Sequence, residues 1–166
     1  MNDCCATGSG GRYDLAVVGA GSAGFSAAIT AAGTGAKVAL IGHGTIGGTC
    51  VNVGCVPSKA MIRAAESIHG AKSASRFPGV TGSARIENWV QLVAAKDDLV
   101  EGLRQKKYAD LLPEHDGIDY FDEGPAHIVE GGVQIGERLI RAPKVIVATG
   151  GRPFLPPIKG IDEVST

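Results

Sequence analysis

Apolar residues along this chain change rhythm from one stretch to the next. Tyr13–Val18 and Lys37–Ile41 are short runs with little polar interruption, the pattern of parallel strands buried on both faces. The alanine-rich stretch 23–32 between them predicts a helix, closed by Gly33 or Gly35. The three together make a βαβ unit. Met61, Ile62, Ala65 and Ile68 give an apolar face to a helix predicted over Pro57–His69. Gly70 to Ser83 reads as a connection. Trp89, Leu92, Val93, Leu99, Leu103 and Leu111 recur at helical spacing and predict one long helix from Asn88, its cap, to Leu112, with Pro113 ending it. From Ile118 the texture turns to short strands over 118–122, 126–130, 133–135 and 139–141, with Gly131-Gly132 as a hairpin turn. Lys144–Ala148 is a further buried parallel strand, and prolines break regular structure after it.

Size and charge narrow the classes. With 166 residues and a formal net charge of −1, the chain suits one domain with a real core and gives no footprint for nucleic acid. Hydrophobic residues make up 44%, yet no apolar run reaches the roughly 18 residues of a membrane span. No basic segment leads into an apolar one at the start, so a cytoplasmic protein is expected. In that compartment a close cysteine pair points to redox catalysis or metal binding more than to a structural bridge. Residues 1–11 read as a flexible leader and 12–166 as the domain. In the leader, the adjacent Cys4 and Cys5 are either free thiols of a tail or a pair that captures a thiophilic metal.

Two stretches carry chemistry. Gly19-Ala20-Gly21-Ser22-Ala23-Gly24 is a G-x-G-x-x-G set between strand and helix of the βαβ unit, the context in which that motif binds a dinucleotide. Gly19 permits the turn, Gly21 admits a pyrophosphate, and Gly24 packs helix on strand. An acidic ribose ligand normally ends the second strand, but here Gly42 and His43 follow Ile41. Ribose contact would then pass to backbone, to His43 or to water. The second stretch is Gly47-Gly48-Thr49-Cys50-Val51-Asn52-Val53-Gly54-Cys55-Val56-Pro57-Ser58-Lys59. Helical residues five apart diverge by roughly 140° and more than about 7 Å along the axis, so a Cys50–Cys55 pairing would require a break in any helix there. Asn52 and Gly54 tolerate a bend. Pro57 suits a first helical turn, which places Cys55 beside a helix N-terminus that favours thiolate. Lys59 lies a turn or less away.

With these pieces in place the chain resembles, from Tyr13 to about Asp162, the FAD domain of the flavin-dependent pyridine nucleotide–disulfide oxidoreductases. The resemblance rests on the strand-embedded glycine motif, the Gly-Gly-Thr-Cys-x4-Cys block and the strand end Ala148-Thr149-Gly150. It implies an α/β, Rossmann-like FAD-binding domain with a parallel sheet, helices and a small antiparallel β-meander. Gly19, Gly21 and Gly24 would lie on the FAD pyrophosphate. Gly44, Thr49, Ala126, Thr149 and Gly150 would contact the cofactor further along, and Lys59 would sit near the flavin ring. Cys55 would be the flavin-proximal thiol and Cys50 the interchange thiol of a redox disulfide. Pro57-Ser58-Lys59 resembles the lipoamide dehydrogenase and mercuric reductase branches. The wording from Gly44 to Asn52 and from Met61 to Glu66 is most similar to the mercuric reductases, which implies NADPH as reductant, Hg(II) held between Cys50 and Cys55 as substrate, and a homodimer. Segments for NADPH binding and dimerisation have no match here, so the chain reads as part of a longer enzyme. A lipoamide dehydrogenase-like flavoprotein, or a non-catalytic thiol module binding metal through Cys4, Cys5, Cys50 and Cys55, are the alternatives.

Overall fold

The computed structural model describes residues 11–152 and 154–163. In chain order the elements are β1 (Leu15–Val18), α1 (Ser22–Gly33), β2 (Val38–Ile41), α2 (Gly48–Asn52), α3 (Cys55–Lys72) and α4 (Trp89–Arg104). They continue with β3 (Ile118–Phe121), β4 (Ala126–Val129), β5 (Gly132–Ile135), β6 (Arg138–Arg141) and β7 (Val145–Val147). Strands β3, β2, β1 and β7, in that spatial order, form a parallel sheet. Strands β4, β5 and β6 form an antiparallel meander.

The apolar runs of β1 and β2 become central strands because both faces of the sheet are covered there, whereas β7, expected to be buried from its equally apolar run, is an edge strand with Ile146 and Val147 exposed. Leu15, Val17, Val38 and Leu40 pack with Phe25 and Ala28 of α1. Their alternates Ala16, Val18, Ala39 and Ile41 pack with Val133, Ile135 and Ile140 of the meander. Helix, sheet and meander thus form three layers. Each large aliphatic buried in them, such as Leu40, contributes about 1.5–3 kcal/mol over its exposed state. The meander is tied to the start of β1 by the Tyr13 N–H, which donates to the Arg141 carbonyl at 2.9 Å.

Several expected boundaries move. The helix predicted over Pro57–His69 begins at Cys55 and ends at Lys72, with Pro57 inside its first turn. The bend before it falls at Val53 (φ −137°, ψ 0°) and Gly54 (φ −113°, ψ −107°). Asn52 does not absorb the bend; it ends α2 and its amide donates to the Ile46 and Gly48 carbonyls, each at 2.9 Å. Asn88 caps α4 as expected, accepting from the Gln91 N–H at 3.0 Å. That helix stops at Arg104, however, and gives way to a π-helical turn over Gln105–Ala109 and a 3-10 turn over Leu112–Glu114 that contains Pro113. The wider turn carries Tyr108 into the core, edge-on to Phe25 with ring centroids 4.9 Å apart. Apolar spacing alone does not reveal the change, because the flanking Leu103 and Leu111 keep the helical rhythm. Of the short strands after Ile118, the first joins the parallel sheet beside β2 and only the rest form the meander. The hairpin turn is Glu130-Gly131, since Gly132 already pairs with Val129.

Two glycines of α1 separate packing from composition. A Cβ on Gly24 would lie 1.7 Å from the Gly19 carbonyl oxygen, whereas one on Gly33 would meet nothing within 4 Å. Gly24→Ala is expected to cost at least about 1–3 kcal/mol, as overpacking does. Gly33→Ala is expected to gain roughly 0.5–1 kcal/mol from helix propensity. Urea unfolding of the two variants checks this; equal stabilities would contradict the close helix–turn contact.

Candidate active site

A cleft of about 560 Å³ opens where β1, β2 and β7 end. This is where the strand order reverses, β1 having β2 on one side and β7 on the other, and ligands of open parallel sheets bind at such a point. Gly19 leaves β1 with φ +118°, and a Cβ there would fall 2.1 Å from the Ala148 carbonyl oxygen beyond β7. The tight crossing brings α1 in with its first turn on the cleft wall. Gly21 caps that helix, no side chain caps it, and no acidic residue occupies its first turn. First-turn N–H groups and the helix dipole are therefore available to an anion such as a pyrophosphate.

The cysteine stretch folds directly against this turn. Gly47 donates its N–H to the Ala20 carbonyl at 2.9 Å, and Gly21 and Gly47 form a bridge. Gly47 and Gly48 adopt φ of +100° and +69° and start α2. Tyr108 locks the junction: its ring lies against Gly47, and its hydroxyl shares a 2.9 Å hydrogen bond with Ser22 Oγ at the start of α1. Arg104 Nη1 donates to Asn52 Oδ1 at 3.1 Å, so α4 also holds the end of α2.

The cleft wall gathers Gly19, Gly21, Gly44, Thr49, Ala126, Thr149, Gly150 and Cys50 from the residues singled out by sequence. Gly24 lies beneath the turn, buried against Gly19. Cys55 and Lys59 are exposed on α3 and are not among the wall residues. Cys4 and Cys5 lie outside the described residues. Among the described residues no three or more His, Cys, Asp or Glu side chains cluster as a metal site.

Cys50 and Cys55 are free thiols in contact across the α2–α3 break. The Cys50 pKa is pushed up from the ordinary thiol value. The Cys55 side chain is the main cause, followed by desolvation and by the charge that Cys55 can carry; the Cys55 backbone N–H and then the Lys59 ammonium oppose the shift. Adjacent sulfurs of this kind can exchange two electrons as dithiol and disulfide, or hold one soft metal ion.

The family model described as pyridine nucleotide-disulphide oxidoreductase matches residues 13–166. The chain belongs to this family. Within the family it is 44% identical over 160 residues to a mercuric reductase of Streptomyces lividans, covering 92% of this chain and 33% of that protein. It is 44% identical over 154 residues to a mercuric reductase of Staphylococcus aureus, covering 93% and 28%, and 39% identical over 163 residues to one of Shigella flexneri, covering 95% and 29%. The chain thus spans a third or less of the length of these relatives. Among solved structures it is similar to the HOCl-induced flavoprotein disulfide reductase RclA from Escherichia coli, with TM-score 0.70 and 28% identity over 90% of this chain and 31% of that one. The Cu(II) complex of the same reductase gives TM-score 0.69.

Sequence reasoning missed Ser22, Arg104 and Tyr120. Ser22 and Arg104 act through contacts with residues far away in the chain. Tyr120, a wall residue on β3, had one signal: the missing acid at Gly42 left a polar partner to be found on a neighbouring strand.

The thiol contact predicts a reactivity. The thiolate is the attacking species, so Cys55→Ala, by removing the group that raises the Cys50 pKa, should speed iodoacetamide alkylation of Cys50 at pH 7. The gain should vanish at a pH above both pKa values. Peptide-resolved mass spectrometry reads the rate; an unchanged rate at pH 7 would mean that Cys55 does not raise the Cys50 pKa.

Proposed function

We propose that this chain is the FAD- and dithiol-bearing part of a mercuric reductase that uses NADPH to reduce Hg(II) to Hg(0). The observation that carries the reading is Cys50 standing in the same cleft wall as the α1 turn that no side chain caps, with Cys55 interacting behind it. The 36–44% identity to several mercuric reductases supports this substrate over a lipoamide-type dithiol.

The cleft fits a flavin dinucleotide. Gly21 brings backbone to the wall without a side chain, and α1 offers N–H donors to a pyrophosphate. Gly44, Thr49, Ala126, Thr149 and Gly150 supply further wall positions, and Lys59 lies close enough to act on Cys50. When bound, FAD supplies two-electron transfer between a nicotinamide and the cysteine pair.

The chain's own residues do the rest. Cys50 and Cys55, once a dithiol, offer two sulfurs to Hg(II), a soft cation that prefers them. Asn52 and Arg104 hold α2, and the Gly54 break brings the start of α3 back toward it, so the sulfurs meet without a regular helix between them. Both sulfurs bind Hg(II) as thiolates, so each thiol proton still present passes to solvent as mercury binds. NADPH, by the electron transfer that FAD would supply, is the source of the two electrons that reduce the sulfur-bound Hg(II) to Hg(0), which breaks both Hg–S bonds and leaves Cys50 and Cys55 as thiolates. The same reading places the complete protein in the cytoplasm, as a homodimer.

The complete gene product carrying Cys50→Ala or Cys55→Ala is expected to lose Hg(II)-dependent NADPH oxidation. Wild-type protein should turn over Hg(II) and not lipoamide. Normal Hg(II) reduction by the Cys55→Ala variant would overturn this function, and turnover of lipoamide in place of Hg(II) would move it to the dehydrogenase branch.

A further inference from the structure

The second strand of a dinucleotide fold normally delivers an acidic side chain to the adenosine ribose. Here Gly42 holds that place, buried directly after β2, with its N–H donating to the Phe121 carbonyl at 2.8 Å. The glycine is not simply a missing side chain. A Cβ built on it would lie 2.4 Å from the Tyr120 hydroxyl oxygen and 3.0 Å from two carbons of the same ring. Tyr120 comes from β3, one strand further out, and its ring rests on the helix-side core. The space of the absent side chain is therefore filled from the neighbouring strand.

We propose that Tyr120 is the ribose ligand of this cleft, its phenol hydroxyl replacing the carboxylate that Gly42 cannot supply. Three observations support the assignment. Both Gly42 and Tyr120 line the cleft that holds Gly21 and Thr149. No buried side-chain polar atom lacks a partner among the described residues, so the Tyr120 hydroxyl, which makes no side-chain hydrogen bond there, is open to the cleft. Burial, and secondly the Asp122 charge, raise the Tyr120 pKa above the ordinary phenol value. The hydroxyl therefore stays protonated at neutral pH and can both donate to and accept from a ribose hydroxyl. A carboxylate at residue 42 could only accept.

A structural consequence follows for residue 42. Any side chain there must displace Tyr120, so the two positions exchange as a unit: glycine with tyrosine, or an acid with a small residue. His43, exposed on the cleft wall beside Gly42, is not required for the contact.

The inference rests on the dinucleotide reading of the cleft, and the test separates the two. Binding of FAD, ADP, 2′-deoxy-ADP, 3′-deoxy-ADP and FMN to the purified chain is measured by calorimetry for wild type and Tyr120→Phe. Loss of one hydrogen bond should weaken FAD and ADP by about two- to tenfold, leave FMN unchanged, and abolish discrimination against at least one deoxy analogue. Gly42→Glu alone should weaken FAD and lower thermal stability, and Tyr120→Ala added to it should recover binding. Wild-type protein that binds neither FAD nor ADP would overturn the dinucleotide reading and this inference together. Wild-type binding unaltered by Tyr120→Phe, or Gly42→Glu binding as tightly as wild type, would overturn the inference alone. His43→Ala should leave the deoxy discrimination intact; its loss there would assign the ribose to His43 instead.

Discussion

The site depends on a contact between two glycine turns. Gly21, at the start of α1, lies against Gly47 and Gly48, at the start of α2, so closely that a Cβ on Gly48 would sit 2.8 Å from the Gly21 Cα. The Gly47 N–H bond to the Ala20 carbonyl fixes the same junction. Side chains would force the two helix starts apart. Without them, the first turn of α1 and the start of α2, which carries Cys50, form one continuous wall. Val51, one residue after Cys50, is then buried in the helix-side core, and that burial sets how α2 is rotated.

Third and fourth segments secure the junction. The π-helical turn after α4 puts Tyr108 over Gly47 and within hydrogen-bond reach of Ser22. Arg104, at the end of α4, reaches Asn52. π-helical turns are rare and appear mostly as single turns, frequently at functional sites; here the turn carries Tyr108 inward. The sulfurs gain from this rigidity. Their contact spans a backbone break that would otherwise be free to open, so holding α2 holds the dithiol together at little further entropic cost.

Much of this was legible in the chain, and the remainder was not, for definite reasons. β1 and β2 read correctly because strands covered on both faces leave no polar positions in the run. The turn of the glycine motif between β1 and α1, and the helix break between Cys50 and Cys55, were legible because spacing itself demands them. Asn52 read wrongly: a residue that tolerates bends by propensity instead caps two carbonyls, a role set by how α2 meets the preceding loop. The long helix read too long because a π-helical turn keeps the apolar rhythm while changing which residue faces inward. Gly42 read as a loss because the hydroxyl filling its space belongs to β3, whose position beside β2 no local pattern encodes.

The central claim is that the glycine turn at the start of α1 and Cys50 share one cleft. Its most direct measurement is the alkylation rate of Cys50 during a titration of the purified chain with FAD. The account predicts that the rate falls in proportion to FAD bound, because Cys50 stands in the wall that the dinucleotide covers. FAD binding that leaves Cys50 as reactive as before would contradict it.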